Sequence, residues 1–167
     1  MDRAVQDWKT DLLLLPQFGS SGNPDINYSV RGTVTGLTTN TRTEEFYLAM
    51  LEGMTFQSYL AYEKTKPLGV GMKKIILTGG GASSETMMKI RANVYNMTTA
   101  TITTTESGTL GCMMLAATAL GKYKTLNEGI ARVVRIKKEY APDPVMHAYY
   151  MQKFEKYKKL YDLMHLF

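Results

Sequence analysis

Short blocks of apolar residues along the chain predict strands and helices in turn. The leucine run at residues 12–15, which is stopped by a proline, predicts a buried strand. Residues 30–37 alternate enough to predict a second strand. Residues 41–44, Thr-Arg-Thr-Glu, are typical of a capping box and predict the start of a long amphipathic helix. Pro67 and Gly69 predict its end.

The middle of the chain predicts a strand, a glycine turn and a helix. Residues 75–77 are all apolar, which predicts a buried strand that breaks on the three glycines at 79–81. Ser83 and Ser84 are both good N-caps, so the next helix is predicted to begin at one of them.

The last part of the chain predicts one more strand and three helices. Residues 99–103 are rich in β-branched side chains and predict the strand. Ser107 is predicted to cap a helix that runs to Leu120. Because this helix is apolar nearly all round, we expect it to be buried on more than one side. Residues 125–136 predict a short helix and residues 145–166 a long amphipathic one, which completes an α/β order.

Composition favours a single globular domain. The 167 residues are 44% hydrophobic and 21% charged, which is enough for one packed core. The one cysteine, Cys112, excludes an internal disulfide and favours a reducing compartment such as the cytoplasm; its apolar surroundings predict a buried, inert thiol. The longest apolar run, residues 110–120, is about half of a membrane span. The net charge is +5, and the basic residues cluster late in the chain. The last group of lysines is mixed with Glu155 and Asp162 on a predicted helix, which is typical of a solvated face rather than of nucleic-acid binding.

The glycines at 79–81 are the strongest candidate for chemistry. A strand that leads through a glycine turn into a helix places backbone amides near the positive end of a helix dipole. Glycines also let a ligand approach the backbone closely, which suits an anion or a nucleotide. The alternative is a tight connection between a strand and a helix that binds nothing.

Three nucleotide-binding patterns can be compared with this loop. A P-loop needs Lys and then Ser or Thr after the glycines, and this chain has neither there. A dinucleotide fingerprint needs three set glycines, and Ser84 stands at the third position. Residues 76–82, Ile-Leu-Thr-Gly-Gly-Gly-Ala, resemble the adenosine motif of the actin, Hsp70 and sugar-kinase superfamily at every position.

A second segment resembles the FGGY carbohydrate kinases. Residues 32–37, Gly-Thr-Val-Thr-Gly-Leu, are followed after seven residues by Glu-Phe-Tyr-Leu-Ala-Met-Leu-Glu at 45–52, which is similar to that family's second signature. Residues 106–117 and 140–144 are similar to its small-residue helix and to the break before its terminal helix. The resemblance covers about residues 12–166 in the right order. It implies an actin-like ATPase (ribonuclease H-like) fold, with a mixed sheet flanked by helices.

The resemblance also implies a function. Family members transfer phosphoryl from ATP, with Mg2+, to a sugar or polyol hydroxyl. The backbone of Gly79, Gly80 and Gly81 is then expected against the adenosine and nearby phosphate, with Ser84 near the adenine. Residues 1–167 are expected to be the C-terminal nucleotide-binding domain of a two-domain kinase. The catalytic base, an aspartate, is expected in an N-terminal domain absent from this sequence, and no metal ligands are assigned here.

The expected partners are therefore a sugar or polyol and the protein's own N-terminal domain, without nucleic acid or membrane; a homodimer is left open. Two other functions are also left open. A dinucleotide-binding oxidoreductase is one, because Glu106 ends the strand after the glycines, where a ribose-binding acid is expected. A non-enzymatic actin-like scaffold is the other.

Three further polar residues are not assigned to chemistry. Glu52 is expected to serve in packing or in a pair between helices, and no metal site is expected at His147 and His165.

Overall fold

The computed structural model describes residues 1–5, 8–19, 25–69 and 71–166. These residues form five strands and five α-helices, and short 3-10 turns at Asp2–Val5, Lys66–Leu68 and Gly80–Ser83 connect or precede them. The elements in chain order are β1 Leu13–Leu15, β2 Thr33–Thr35, α1 Thr43–Thr65, β3 Ile75–Leu77, α2 Glu85–Tyr95, β4 Thr99–Ile102, α3 Ser107–Ala119, α4 Leu126–Val133, β5 Ile136–Tyr140 and α5 Pro144–Met164. The predicted α/β order is thus confirmed, with one strand added.

The described strands form a pair and a mixed three-stranded sheet. β1 and β2 pair antiparallel, and the second sheet has the order β3–β4–β5, with β3 parallel and β5 antiparallel to β4.

The predicted helix over 125–136 is wrong at its end, because α4 stops at Val133 and Ile136 already begins β5. Lys137, Lys138 and Glu139 are all exposed, so this strand lacks the alternation that would have revealed it.

Helices α1, α2 and α5 enclose the main core. The ring of Phe56 in α1 lies 6.2, 5.6 and 5.4 Å from those of Tyr150, Phe154 and Tyr157 in α5, measured between centroids. These α5 residues recur at helical spacing and are buried, which confirms the predicted amphipathic helix. α1 also lies directly on β1: a Cβ added to Gly53 would lie 2.2 Å from the carbonyl oxygen of Leu14, so only glycine fits there.

A buried ion pair joins α1 to α5. Glu52 Oε2 lies 2.5 Å from Lys153 Nζ, which also donates to the backbone oxygen of Thr10. Glu52 Oε1 is buried and has no hydrogen-bond partner among the described residues. Burial raises the pKa of Glu52 to about 7, although the Lys153 ammonium acts to lower it. The pair between helices agrees with the role expected for Glu52.

The predicted burial of α3 is wrong. Of its residues, all of which the structure describes, only Met114 is buried, while Met113, Leu115 and Cys112 are exposed. The helix packs chiefly against α4 rather than on the core, so its apolar character has no matching surface within the described residues. The predicted burial of β3 is also wrong, because β3 is an edge strand of its sheet and no described element covers it fully. Ile76 in this strand is 51% exposed.

Two predicted caps are also shifted. At the start of α1 the backbone N–H of Arg42 donates to Glu45 Oε2 at 2.9 Å, one residue later than the predicted box. The Arg42 guanidinium lies over the ring of Trp8, 5.8 Å from its centroid. At α3 the N-cap is Glu106, and the Ser107 hydroxyl instead donates to Thr78 Oγ1.

Candidate functional site

The glycine loop connects β3 to α2 as the sequence predicts. Gly79 has a left-handed φ of +77°, a conformation that favours glycine. The 3-10 turn that follows is closed by hydrogen bonds from Ala82 N to Gly79 O (3.1 Å) and from Ser84 N to Gly81 O (3.3 Å). Ser84 is the N-cap of α2, because its Oγ accepts from Met87 N at 3.0 Å. The predicted helix start at Ser84 is therefore confirmed.

Open space surrounds this loop. A Cβ added to Gly79 or Gly80 would find no atom of the described residues within 4 Å, and one added to Gly81 would meet Met87 Sδ at 3.2 Å. Gly80 and Gly81 do not have a left-handed φ, so neither the backbone nor internal packing requires glycine at position 80. A ligand that lies directly on the backbone would require it.

The first turn of α2 is occupied from within the chain. Asp2 accepts at Oδ1 from the Ser84 hydroxyl (2.5 Å) and at Oδ2 from the backbone N–H groups of Glu85 (3.1 Å) and Thr86 (3.4 Å). The Thr86 hydroxyl in turn donates to the backbone oxygen of Asp2 (2.8 Å). Burial alone would raise the pKa of Asp2, but hydrogen bonds from Ser84, Thr86 and Glu85 outweigh it and lower that pKa.

This carboxylate corrects one sequence expectation. The amides at the positive end of α2 were expected to be bare and ready for an anion, yet Asp2 and Ser84 already satisfy them. The surface open to a ligand is therefore the glycine loop itself rather than the first turn of α2. Asp2 could not be identified from the sequence, because it lies 82 residues from Ser84 and no local sequence pattern indicates the contact.

Two further polar residues lie at the same edge of the sheet. The Ser107 hydroxyl is 2.9 Å from Thr78 Oγ1, which brings the start of α3 beside the end of β3. Glu106 is exposed just before it. A ligand contact from Glu106 or Ser107 stays a prediction.

The described residues suit a metal ion poorly at this loop. Asp2 is engaged by hydrogen-bond donors, and Glu85 pairs with Lys138 Nζ at 2.8 Å. Within the described part of the chain, no three His, Cys, Asp or Glu residues group as metal ligands. The ring nitrogens Nδ1 of His147 and His165 lie within hydrogen-bond distance of backbone oxygens instead.

A cavity of about 500 Å3 lies away from the glycine loop. It opens between the first residues of the chain, α2 and α5, and its walls include Trp8, Lys89, Asp143 and Tyr150.

Among the described helices none is both long and apolar enough to cross a membrane.

Comparison with known proteins places this loop in a family context. Residues 2–120 match the model of the FGGY family of carbohydrate kinases, C-terminal domain. The chain is 25% identical over 150 residues to a xylulose kinase of Staphylococcus epidermidis, with 90% of this chain and 30% of that protein covered. It is 29% identical over 153 residues to a glycerol kinase of Listeria welshimeri, with 91% and 29% covered.

Solved structures agree. The ligand-bound xylulose kinase of Lactobacillus acidophilus superposes with a TM-score of 0.80 at 30% identity, over 93% of this chain and 31% of that one. The likeness confirms the mixed α/β fold as that of the actin-like sugar kinases. The chain spans less than a third of the length of each of these proteins.

Proposed function

Because this chain belongs to the FGGY family of carbohydrate kinases, we propose that it is the nucleotide-binding C-terminal domain of a sugar or polyol kinase. The complete enzyme transfers a phosphoryl group from ATP to a hydroxyl of its substrate. The observation that carries the proposal is the open glycine loop at the end of β3, which lies within the residues that match the family. Membership of this family favours a kinase over the oxidoreductase and scaffold alternatives.

The role of this chain in the reaction is to position the nucleotide. Phosphoryl transfer depends mainly on alignment of the reacting groups and on neutralisation of phosphate charge. The backbone of Gly79, Gly80 and Gly81 lies against the adenosine and nearby phosphate, and Ser84 lies near the adenine. The catalytic base comes from the N-terminal domain, and Mg2+ bound with ATP neutralises phosphate charge.

The N-terminal domain and the upstream part of the C-terminal domain cover the surfaces that are exposed here. Two observations support this. The edge strand β3 leaves Ile76 half exposed, and α3 exposes Met113 and Leu115 although the helix is apolar nearly all round. Exposed apolar side chains on an edge strand and on an apolar helix are expected where another part of the protein packs. The substrate is a sugar or polyol, and the enzyme acts in the cytoplasm.

Parallel calorimetric titrations of the purified chain with ATP and with NAD test the proposal. We expect heat of binding with ATP and none with NAD, because the loop lacks the third glycine of a dinucleotide site. Binding of NAD without ATP would favour the oxidoreductase instead. ATP-dependent assembly of the chain into filaments, seen by light scattering, would favour the scaffold.

A further inference from the structure

The cavity between the first residues of the chain, α2 and α5 is large enough to hold a small molecule. Its volume is about 500 Å3, within the range of roughly 300–1,000 Å3 that is typical of ligand pockets. Apolar side chains, among them Leu48, Ile90 and Met146, form part of its wall, and polar side chains form another part. Such a lining suits a ligand that has an apolar body and a polar group.

Tyr150 brings a hydroxyl without a partner to the wall of this cavity. The residue is only 3% exposed, and a tyrosine hydroxyl buried to this degree usually has a hydrogen-bond partner. Among the described residues the Tyr150 hydroxyl has none. Its oxygen is not enclosed by protein either, so it faces the open space of the cavity. Burial raises the pKa of Tyr150, so the hydroxyl keeps its proton at neutral pH and can donate it.

Asn93 in α2 supplies a second donor to the wall. Its Oδ1 accepts from the backbone N–H of Asp143 at 2.8 Å, which fixes the orientation of the side-chain amide. The NH2 group of that amide is thereby turned away from Asp143, and it donates to no described residue. The backbone oxygen of Asn93 also lies 2.7 Å from His147 Nδ1, one turn of α5 before Tyr150. The two donors are therefore separated by about one helical turn.

The described wall carries more positive than negative charge. Lys9 and Lys89 contribute two ammonium groups, and Asp143 contributes one carboxylate. The Asp143 carboxylate is engaged as the N-cap of α5, where its Oδ1 accepts from two backbone N–H groups. This balance favours a single negative charge on a ligand, because the lysines attract the first charge and Asp143 repels a second.

We propose that this cavity is a binding site for a small organic carboxylate. The carboxylate group accepts from the Tyr150 hydroxyl and from the Asn93 NH2 group, and the apolar body packs against the apolar part of the wall. The cavity lies away from the glycine loop, so this inference does not rest on the proposed nucleotide site.

The probe is 4-phenylbutyrate, and its isosteric neutral amide, 4-phenylbutyramide, is the matched ligand. Amide chemical-shift titrations of the whole 167-residue chain give both dissociation constants and locate the binding. For the carboxylate we expect a dissociation constant on the order of 1 mM or below. The neutral amide should bind about tenfold more weakly, because hydrogen bonds to a charged acceptor are the stronger ones. The largest shifts should lie at the cavity wall, including the backbone amides of Lys89 and Asn93.

Two variants test the named donors. Asn93→Asp keeps an oxygen for the Asp143 N–H but puts a negative oxygen in place of the NH2 group. It should weaken carboxylate binding by more than about tenfold without weakening binding of the amide. Tyr150→Phe removes only the hydroxyl and should weaken carboxylate binding by about tenfold. The controls are Asn127→Asp, the same charge change at an exposed position of α4, and Tyr59→Phe, at a tyrosine outside the cavity wall; both should bind like the wild type.

Several outcomes would overturn the inference. These are equal affinity of the wild type for the carboxylate and its amide, no binding at millimolar concentrations, and shifts confined to the exposed apolar face of α3. Wild-type affinity for the carboxylate in folded Asn93→Asp would overturn it as well. If Asn93→Asp does not fold, Tyr150→Phe decides, and an unchanged affinity there overturns the inference.

Discussion

At the scale of single residues, the glycines of the loop have different reasons for being glycine. Gly79 needs its left-handed φ of +77°, so a side chain there strains the turn whether or not a ligand binds. Gly80 has neither this φ nor a neighbour within 4 Å among the described residues. Substitution at position 80 therefore separates ligand contact from folding, which substitution at position 79 cannot do.

Gly80→Val should weaken ATP binding and leave the fold intact. If adenosine lies on the backbone, the new side chain enters the space of the ligand, and the expected loss is about 1–3 kcal/mol, or roughly ten- to hundredfold in affinity. Calorimetry gives the affinity and a thermal melt reports the fold. Gly71→Val is the matched control, since position 71 is an equally open loop glycine. Unchanged ATP affinity in folded Gly80→Val would mean that the loop is only a turn.

Local pattern explains which residues of the site could be predicted. Gly79 and Ser84 follow from rules about turns and helix caps that operate over a few residues. Asp2 could not be found in this way, because its bonds to Ser84 and Thr86 exist only once the chain has folded back across 82 and 84 residues.

At the scale of elements, the ion pair between α1 and α5 should make stability depend on pH. The pKa of Glu52 is raised to about 7 in the folded state, above its ordinary value of 4.5, so the folded state binds the proton more tightly than the unfolded one. The free energy of unfolding should therefore fall as pH rises from about 4.5 to about 7, by up to about 3 kcal/mol.

Urea unfolding across this pH range checks the sign. Glu52→Gln cannot ionise, so its free energy of unfolding should lack the contribution of Glu52 and fall less steeply than that of the wild type. Glu63→Gln, at a partly exposed glutamate of the same helix, should keep the wild-type slope. Equal slopes in Glu52→Gln and the wild type would show that folding does not raise the pKa of Glu52.

Elements that bury one regular face were predictable, and those that do not were missed. α5 carries Tyr150, Phe154 and Tyr157 at helical spacing, and its partner surface on α1 lies within the same chain. α3 is apolar yet exposed, and its burial was predicted wrongly. An apolar sequence indicates that a helix needs a packing partner, but it does not show whether that partner lies within the same chain. β5 buries neither face, so its sequence carries no period of two.

At the scale of the whole molecule, this chain alone should not phosphorylate a sugar. The catalytic base of the family is expected in the N-terminal domain, and without it neither proton transfer nor closure over the substrate can occur. The measurement is ADP release that depends on added xylulose or glycerol, with the chain extended by its upstream reading frame as the control. Sugar-dependent turnover by the 167-residue chain would contradict the division of labour proposed here.

The contact between Arg42 and Trp8 has an optical consequence. Trp8 is the only tryptophan of the sequence, which also holds eleven tyrosines. The indole packs against the core beside the start of α1, with the Arg42 guanidinium over its ring. Selective excitation of the indole therefore reports from one place, the junction of the N-terminal segment with the helical core. Its emission can reveal local release of that segment separately from the global melt that tyrosine absorbance records.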